Sequence, residues 1–242
     1  MPKTVFLAGA TGAVGRRLAP LLVADGWRVV GTTRSQDKLA DLRALGVDPV
    51  VVDVFDAAAL GTAVMGAKPE VVIHQLTDLP PGLDPALMAD ALVRNARIRD
   101  EGTRNLLAAA RAAGARRVIA QSIAFVYAEG PLPHREDDPL VTPAEGPAGV
   151  SARGVISLES QVLAAPLEGL VLRYGRFYGP GTGFDKPTGP APVHVDAAAK
   201  AAALAVTRGT PGVYNIAEDD GTVLSDKARR ELGWSAEWRS GP

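Results

Sequence analysis

The stretch MPKTVFLAGATGAVG, Met1–Gly15, decides how the rest of the chain is read. Thr4–Ala8 is a short apolar run that ends in small residues, and Arg16–Val23 then carries apolar side chains at helical spacing. Between them, Gly9, Gly12 and Gly15 stand at G-x-x-G-x-x-G. Strand, glycine turn and helix, in that order, is the context in which such a triplet binds a dinucleotide. The turn needs a residue without Cβ at Gly9, a pyrophosphate approaches the backbone near Gly12, and Gly15 lets the helix lie close on the strand. Thr11, Ala13 and Val14 complete the turn. Free N–H groups at the helix start, reinforced by the helix dipole, then face the phosphates. A glycine-rich turn with no ligand is the alternative, and the remaining chain has to decide between them.

At 242 residues the chain suffices for one α/β domain, or for one with a small appended lobe. A hydrophobic content of 47% supplies a large core, and the abundance of alanine predicts helices packed through small side chains. The formal net charge of −1 offers no electrostatic reason to expect nucleic acid or an anionic membrane as partner. With no Cys, disulfides, thiol nucleophiles and cysteine–zinc sites are excluded, and no metal site is expected. No apolar run reaches the roughly 18 residues of a membrane span. Met1–Pro2–Lys3 leads directly into the first strand and leaves no room for a signal peptide. The expectation is a soluble, cytoplasmic protein with a small-molecule substrate.

Trp27–Thr32 reads as the second strand, after Gly26. Where a dinucleotide fold that prefers NAD places an acid for the ribose hydroxyls, this chain has Thr32, Thr33, Arg34 and Ser35. Arg34 can pair with a 2′-phosphate, with no carboxylate there to repel it, and Lys38 and Arg16 can reinforce the pocket. NADP(H) is favoured, NAD(H) is the alternative, and three solvated cations are the bland reading. Val50–Val54 is the third strand, closed by Asp53, which is also a candidate N-cap for a helix over Ala57–Met65. Glu70–His74 is the fourth strand, followed by Gln75 and Leu76. Pro85–Ala113 is a long helical region whose Arg94, Arg97, Arg99 and Arg104 read as a mostly solvated face. Arg117–Gln121 is the fifth strand, ending in Ser122. The polar loop Glu129–Gly149, with His134–Asp138 as ordinary loop charges, is placed to cover a site at the carboxyl ends of the strands. Val150–Leu163 is a helix, Leu170–Tyr174 a sixth strand, Gly212–Ala217 a later strand and Lys227–Trp234 a terminal helix.

AGATGAVG at 8–15 resembles the T-G-x-x-G-x-x-G of the extended and atypical short-chain dehydrogenase/reductases, with Ala8 where Thr is usual. GTRNLL at 102–107, QSIAFVYA at 121–128, LRYGRFYGPGTG at 172–183, PVHVD at 192–196, GVYNIA at 212–217 and KARRELGW at 227–234 resemble landmarks of the same family, which includes nucleotide-sugar epimerases and dehydratases. The resemblance implies a Rossmann-type doubly wound parallel sheet of the α/β class in a single domain, 1–242. Within it, about 1–174 form the dinucleotide-binding core and about 175–242 contribute a small substrate lobe. It also implies that Asp53, with Val54, lies at the adenine, that Gln75 and Leu76 run along the cofactor ribose, and that Ser122 and Tyr174 border the cofactor. A Ser or Thr near Ser122 bonds the reacting oxygen in that family, although alignment on Val126–Tyr127 puts Ile123 at the commonest position. Between Gly183 and His194 the chain is much shorter than in nucleotide-sugar enzymes, which implies a smaller or different substrate.

One departure is firm. The family's Tyr-x-x-x-Lys would fall on Ser151 or Ala152 for the tyrosine and on Val155 or Ile156 for the lysine. No Tyr lies between Tyr127 and Tyr174, and no Lys between Lys68 and Lys186. The leading expectation is therefore an NADP-dependent oxidoreductase or epimerase/dehydratase-like enzyme, acting on a small carbonyl or alcohol, with a replaced proton donor. Tyr127 and Tyr174 are the candidates, with Ser122 polarising the substrate oxygen. Arg153 is the cation that can assist a phenol, and Tyr127, Arg153 and His194 are candidate substrate contacts. His74 as a base is disfavoured. One alternative is a non-catalytic NADP-binding protein that senses redox state, and another is an enzyme that returns hydride to the same substrate. A homodimer built on a helix pair is implied by the resemblance.

Overall fold

The computed structural model describes residues 3–241; Met1 and Pro2, which bear on any leader, and Pro242 lie outside the described residues. Every residue of β1 (Thr4–Ala8) is buried, as expected for a parallel strand covered on both faces. The chain continues through α1 (Gly15–Ala24), β2 (Arg28–Thr33), α2 (Leu39–Ala44), β3 (Asp48–Val51), α3 (Ala57–Ala67) and β4 (Val71–His74). Then come α4 (Pro85–Arg97), α5 (Thr103–Ala112), β5 (Arg117–Ile123), α6 (Gly146–Ala164) and β6 (Glu168–Tyr174). β7 (Arg176–Tyr178), β8 (Pro192–His194), α7 (Val195–Ala205) and β9 (Gly212–Ile216) complete the regular elements.

Seven strands form one parallel sheet in the order β3-β2-β1-β4-β5-β6-β9. The direction of winding reverses between β1 and β4, so the carboxyl ends of these two strands part there. In open α/β sheets that reversal is where ligands bind. One face of the sheet packs Leu18, Leu22, Ala198 and Ala202 of α1 and α7 over Leu7, Ile73 and Tyr174. The other packs Leu60, Val64, Leu106 and Ala110 of α3 and α5 over Phe6 and Val72. No helix among the described residues is long and apolar enough to cross a membrane.

Several boundaries differ from those read in the sequence, each for a local reason. β2 begins at Arg28 because the Trp27 N–H is turned back to Leu22 O at 3.0 Å, closing α1. β3 stops at Val51, and Asp53 is not the cap of α3. Asp56 takes that role, accepting from Ala59 N at 2.9 Å, while Asp53 Oδ1 accepts from Phe55 N at 2.9 Å. The helical region 85–112 is continuous but passes through a π turn, Ile98–Gly102. Arg99 on that turn is only 7% exposed, which corrects its assignment to a solvated face. Ser122 lies inside β5 rather than beyond it. The segment after Tyr174 is not confined to a lobe, because β9 pairs with β6 and α7 packs against the α1 face; among the described residues only β7 and β8 form a separate two-stranded sheet. The terminal helix shrinks to a π turn, Ala228–Leu232, which Gly233 ends at φ +70°.

The three glycines of the first turn have different structural roles. Gly9 has φ +92°, and a Cβ there would lie 2.5 Å from Gln75 O. A Cβ on Gly15 would lie 2.2 Å from Gly9 O. A Cβ on Gly12 would meet only Gly9 O, at an ordinary 3.5 Å. Gly15→Ala is therefore expected to lose about 1–3 kcal/mol of stability through overpacking against backbone. Gly12→Ala should stay within about 0.5 kcal/mol of the parent. Urea denaturation of the two variants checks the contrast.

Candidate functional site

The opening between β1 and β4 is a cleft. Gly9, Thr11 and Gly12 line it from the first turn, and Thr32, Thr33 and Arg34 line it from the end of β2. Val52, Asp53, Val54 and Phe55 contribute from the segment after β3, and Gln75, Leu76 and Thr77 from that after β4. Eight of the residues singled out in the sequence thus converge, although their strands are scattered along the chain. The N–H groups of Ala13 and Val14, just before α1, meet no backbone acceptor among the described residues.

Gln75 shows the clearest sign of a missing partner. It is 4% exposed, its Nε2 donates to Tyr174 Oη at 3.3 Å, and its Oε1 is buried without any hydrogen-bond partner. A buried acceptor left unsatisfied costs free energy until a donor arrives. Gly12 is a second sign: it is exposed in the cleft, and the fold does not require it to be glycine. Both features fit a dinucleotide lying across the turn.

The electrostatics around Arg34 differ from the sequence expectation. The loop after β4 brings the Asp78 carboxylate to 3.4 Å from Arg34 Nη1, and Arg94 approaches the same carboxylate at 3.5 Å. Arg34 is therefore not free of a neighbouring acid, because a residue distant in sequence folds over it. Arg16 is occupied in bracing the turn, its Nε donating to Thr11 O at 2.9 Å. Lys38 ends a 3-10 turn over Gln36–Lys38 and does not line the cleft.

The catalytic candidates do not assemble. Ser122 is 1% exposed, and its hydroxyl donates to Glu159 Oε1 at 2.6 Å. Glu159 is in turn held by Arg173 through Nε at 2.9 Å and Nη2 at 2.7 Å, a bidentate pair between two buried side chains. Arg173 Nη1 also donates to Tyr127 Oη at 2.8 Å, and Tyr127 donates to Asn215 Oδ1 at 2.6 Å. Burial pushes the Tyr127 phenol up, despite the nearby guanidinium. Burial pushes the Tyr174 phenol up still further, with the Gln75 amide only partly opposing it. Neither phenol can act as a base near neutrality. Arg153 is exposed on α6 and donates to Ala144 O at 3.1 Å rather than to a member of this network. His194 caps α7 through Nδ1, which accepts from Asp196 N at 3.2 Å, and packs edge-on against Tyr178.

The sequence reading missed Glu159, Arg173, Asp78 and Arg99. Two of them left a signal. Arg173 lies within an apolar strand, where a charged side chain needs a buried partner. Arg99 follows Asn95 and precedes Thr103 at the i, i+4 spacing of the buried stripe.

A family model described as NAD(P)H-binding matches residues 9–144. The chain is 42% identical over 238 residues to a 3-diazoavenalumate denitrifying reductase from a Streptomyces species, covering 89% of this chain and 76% of that protein. It is 33% identical over 177 residues to a ceramide reductase from Caulobacter vibrioides, covering 73% of this chain but only 47% of that one. Among solved structures, UDP-glucose 4-epimerase from Thermotoga maritima with UDP-glucose superposes with a TM-score of 0.76, over 97% of this chain and 94% of that one, at 18% identity. The UDP-glucose 4-epimerase from Thermus thermophilus with NAD superposes at 0.69, over 97% of this chain and 85% of that one, at 22% identity. At such identities the likeness concerns the fold.

His74, at the end of β4, has a testable role in stability. It is 2% exposed; its Nδ1 accepts from Leu76 N, so Nε2–H donates to Thr103 Oγ1 at 3.1 Å. Burial, helped by the Arg99 charge, lowers its pKa from 6.5 to about 4, so it stays neutral in the fold. The unfolded chain takes up a proton near pH 6.5, the folded one only near 4. Stability is therefore full above pH 6.5 and is lost as the pH falls through that window, by on the order of 3 kcal/mol. His74→Gln should flatten the dependence between pH 6.5 and 4, as read by urea denaturation at each pH.

Proposed function

The chain belongs to the NAD(P)H-binding, extended short-chain dehydrogenase/reductase family, and from that premise we propose a cytoplasmic NADP(H)-dependent reductase that acts on a small hydride acceptor. Gly12 carries this reading: a glycine that the fold does not need, in a turn with unused N–H groups, leaves room for a pyrophosphate. Gly9, Thr11, Ala13, Val14 and Gly15 would share that contact. Asp53 and Val54 would border the adenine, and Gln75 and Leu76 the ribose on the nicotinamide side, with the orphaned Gln75 Oε1 accepting from the ligand. Arg34 would hold the 2′-phosphate after exchanging its contact with Asp78 for a charge-assisted pair. Lys38 stands near enough in sequence to add long-range attraction only. A homodimer through α4 and α6 belongs to the same reading, supported by the exposed Leu87, Val93 and Leu163.

Bound NADPH supplies a hydride; the chain's own residues decide which acceptors can use it. A ketone needs a proton at its oxygen as hydride arrives; Tyr127 already donates its hydroxyl to Asn215, and Tyr174 is buried, with its Oη accepting from Gln75 Nε2. We therefore narrow the expected carbonyl or alcohol substrate to an acceptor that requires no phenolic proton. The Streptomyces relative is named for a diazo substrate and for loss of nitrogen. Such an acceptor meets the requirement: R–N2+ and H− become R–H and N2, with the C–N bond broken, a C–H bond formed and no proton taken from the protein.

Titration with NADPH and NADH, followed by nicotinamide fluorescence, tests the reading. NADPH should bind more tightly, and Arg34→Ala should weaken it roughly tenfold or more while leaving NADH little changed. Asp78→Asn should strengthen NADPH binding by freeing the guanidinium. Equal losses of both cofactors in Arg34→Ala would remove the 2′-phosphate pocket. Binding of NADPH with no oxidation by any diazo or carbonyl acceptor would favour a non-catalytic sensor.

A further inference from the structure

Arg99 stands apart from the other buried charges. It lies on the π turn between α4 and α5 and is 7% exposed. No carboxylate lies within 4.0 Å of it among the described residues, and its one hydrogen-bond partner there is Ser151, whose Oγ accepts from Nη1 at 3.2 Å. Its side chain packs close to Gly154 of α6, where an added Cβ would lie 3.4 Å from Arg99 Cδ. A guanidinium has five N–H donors, and burying it with one neutral partner is costly. Arg173, the comparably buried arginine at the end of β6, has its carboxylate in Glu159. Arg99 has none.

Its position is informative. Ser151 is one of the two residues that fall where the family's tyrosine would stand, and Val155 or Ile156 replaces the lysine. Ile98, the preceding residue, lines the cleft. The Arg99 charge also acts on His74, whose neighbour Gln75 carries the orphaned oxygen. The π turn thus sets a cation against the stretch of α6 where the resemblance would place the tyrosine.

We propose that Arg99, braced by Ser151, binds an oxyanion of the hydride acceptor, a carboxylate or phenolate, where the π turn faces α6. The planar fork of the guanidinium suits two oxygens of one carboxylate. Binding there holds the acceptor by its charge, without the proton transfer that a phenol would supply. The acceptor's place beside the cofactor rests on the reductase reading; the anion site itself does not.

Calorimetry with benzoate and its neutral counterpart benzamide, on the free protein and on protein saturated with NADP+, tests the assignment. NADP+ binding is measured first in the same cell, so its failure would count against the cofactor reading alone. The parent should bind benzoate at least about tenfold more tightly than benzamide, with or without NADP+. Arg99→Gln should abolish that preference and leave NADP+ affinity unchanged. If Arg99→Gln does not fold, Arg99→Lys should keep the preference but weaken benzoate binding several-fold, because an ammonium lacks the fork. Equal binding of the two probes by the parent, or no benzoate binding at all, would overturn the proposal. An undiminished preference in Arg99→Gln, or undiminished benzoate binding in Arg99→Lys, would overturn it too.

Discussion

A Cβ on Gly15 would lie 2.2 Å from the carbonyl oxygen of Gly9, and one on Gly9 would lie 2.5 Å from that of Gln75. Backbone is therefore pressed on backbone where β1 turns into α1, and the end of β4 is drawn into the same contact. The Gln75 N–H donates to Ala8 O at 2.8 Å, which carries the pairing of β1 and β4 past their named ends. This close approach aims the start of α1 at the cleft. The late chain is anchored over the same point: Arg17 on the first turn of α1 pairs with Asp196 at 2.6 Å and also donates to Pro180 O. Ser240 adds a bond to Asp196 at 2.8 Å. One tight turn thus fixes the sheet reversal, the helix start and the segment that packs above them.

A second constraint operates at the carboxyl ends of β5 and β6. Ser122, Glu159, Arg173, Tyr127 and Asn215 form one connected set of hydrogen bonds. Arg173 Nη1 further donates to Glu136 O, and Asn215 N donates to Glu136 Oε1, so the loop after β5 is tied to β6 and β9. Inside a protein each of these groups would be expensive to leave unpaired. Their mutual satisfaction explains why the hydroxyls that looked available for chemistry are engaged in holding a loop.

The fold was legible because its signals are local. Thr4–Ala8, the glycine spacing and the alternation of apolar runs with helical stripes each require only a few neighbouring residues to be read, while the doubly wound arrangement was implied by the resemblance. The lining of the cleft was legible in part for the same reason, since Gly9 and Gly12 follow a strand end, whereas Asp53 and Gln75 were placed by the resemblance. What escaped was pairing between distant residues. Asp78 reaches Arg34 across 44 positions, and Glu159 and Arg173 meet only when α6 packs beside β6. Boundary errors were of the same kind: Asp53 and Asp56 are equally good caps by residue type, and only the path of the chain selects Asp56.

Three arginines show how differently one side chain is used in this fold. Arg173 is buried and fully paired, so its charge is neutralised within the structure. Arg34 is exposed and shares a carboxylate with Arg94, an arrangement that a stronger anion can displace at little cost. Arg99 is buried with a single neutral partner, and desolvation lowers its pKa to about 10, still well above neutrality. It therefore remains charged, and it carries a desolvation cost that Ser151 alone does not offset. In a low-dielectric setting the same charge attracts an incoming anion more strongly than it would at the surface, so a buried cation with one neutral hydrogen-bond partner has much to gain from a ligand.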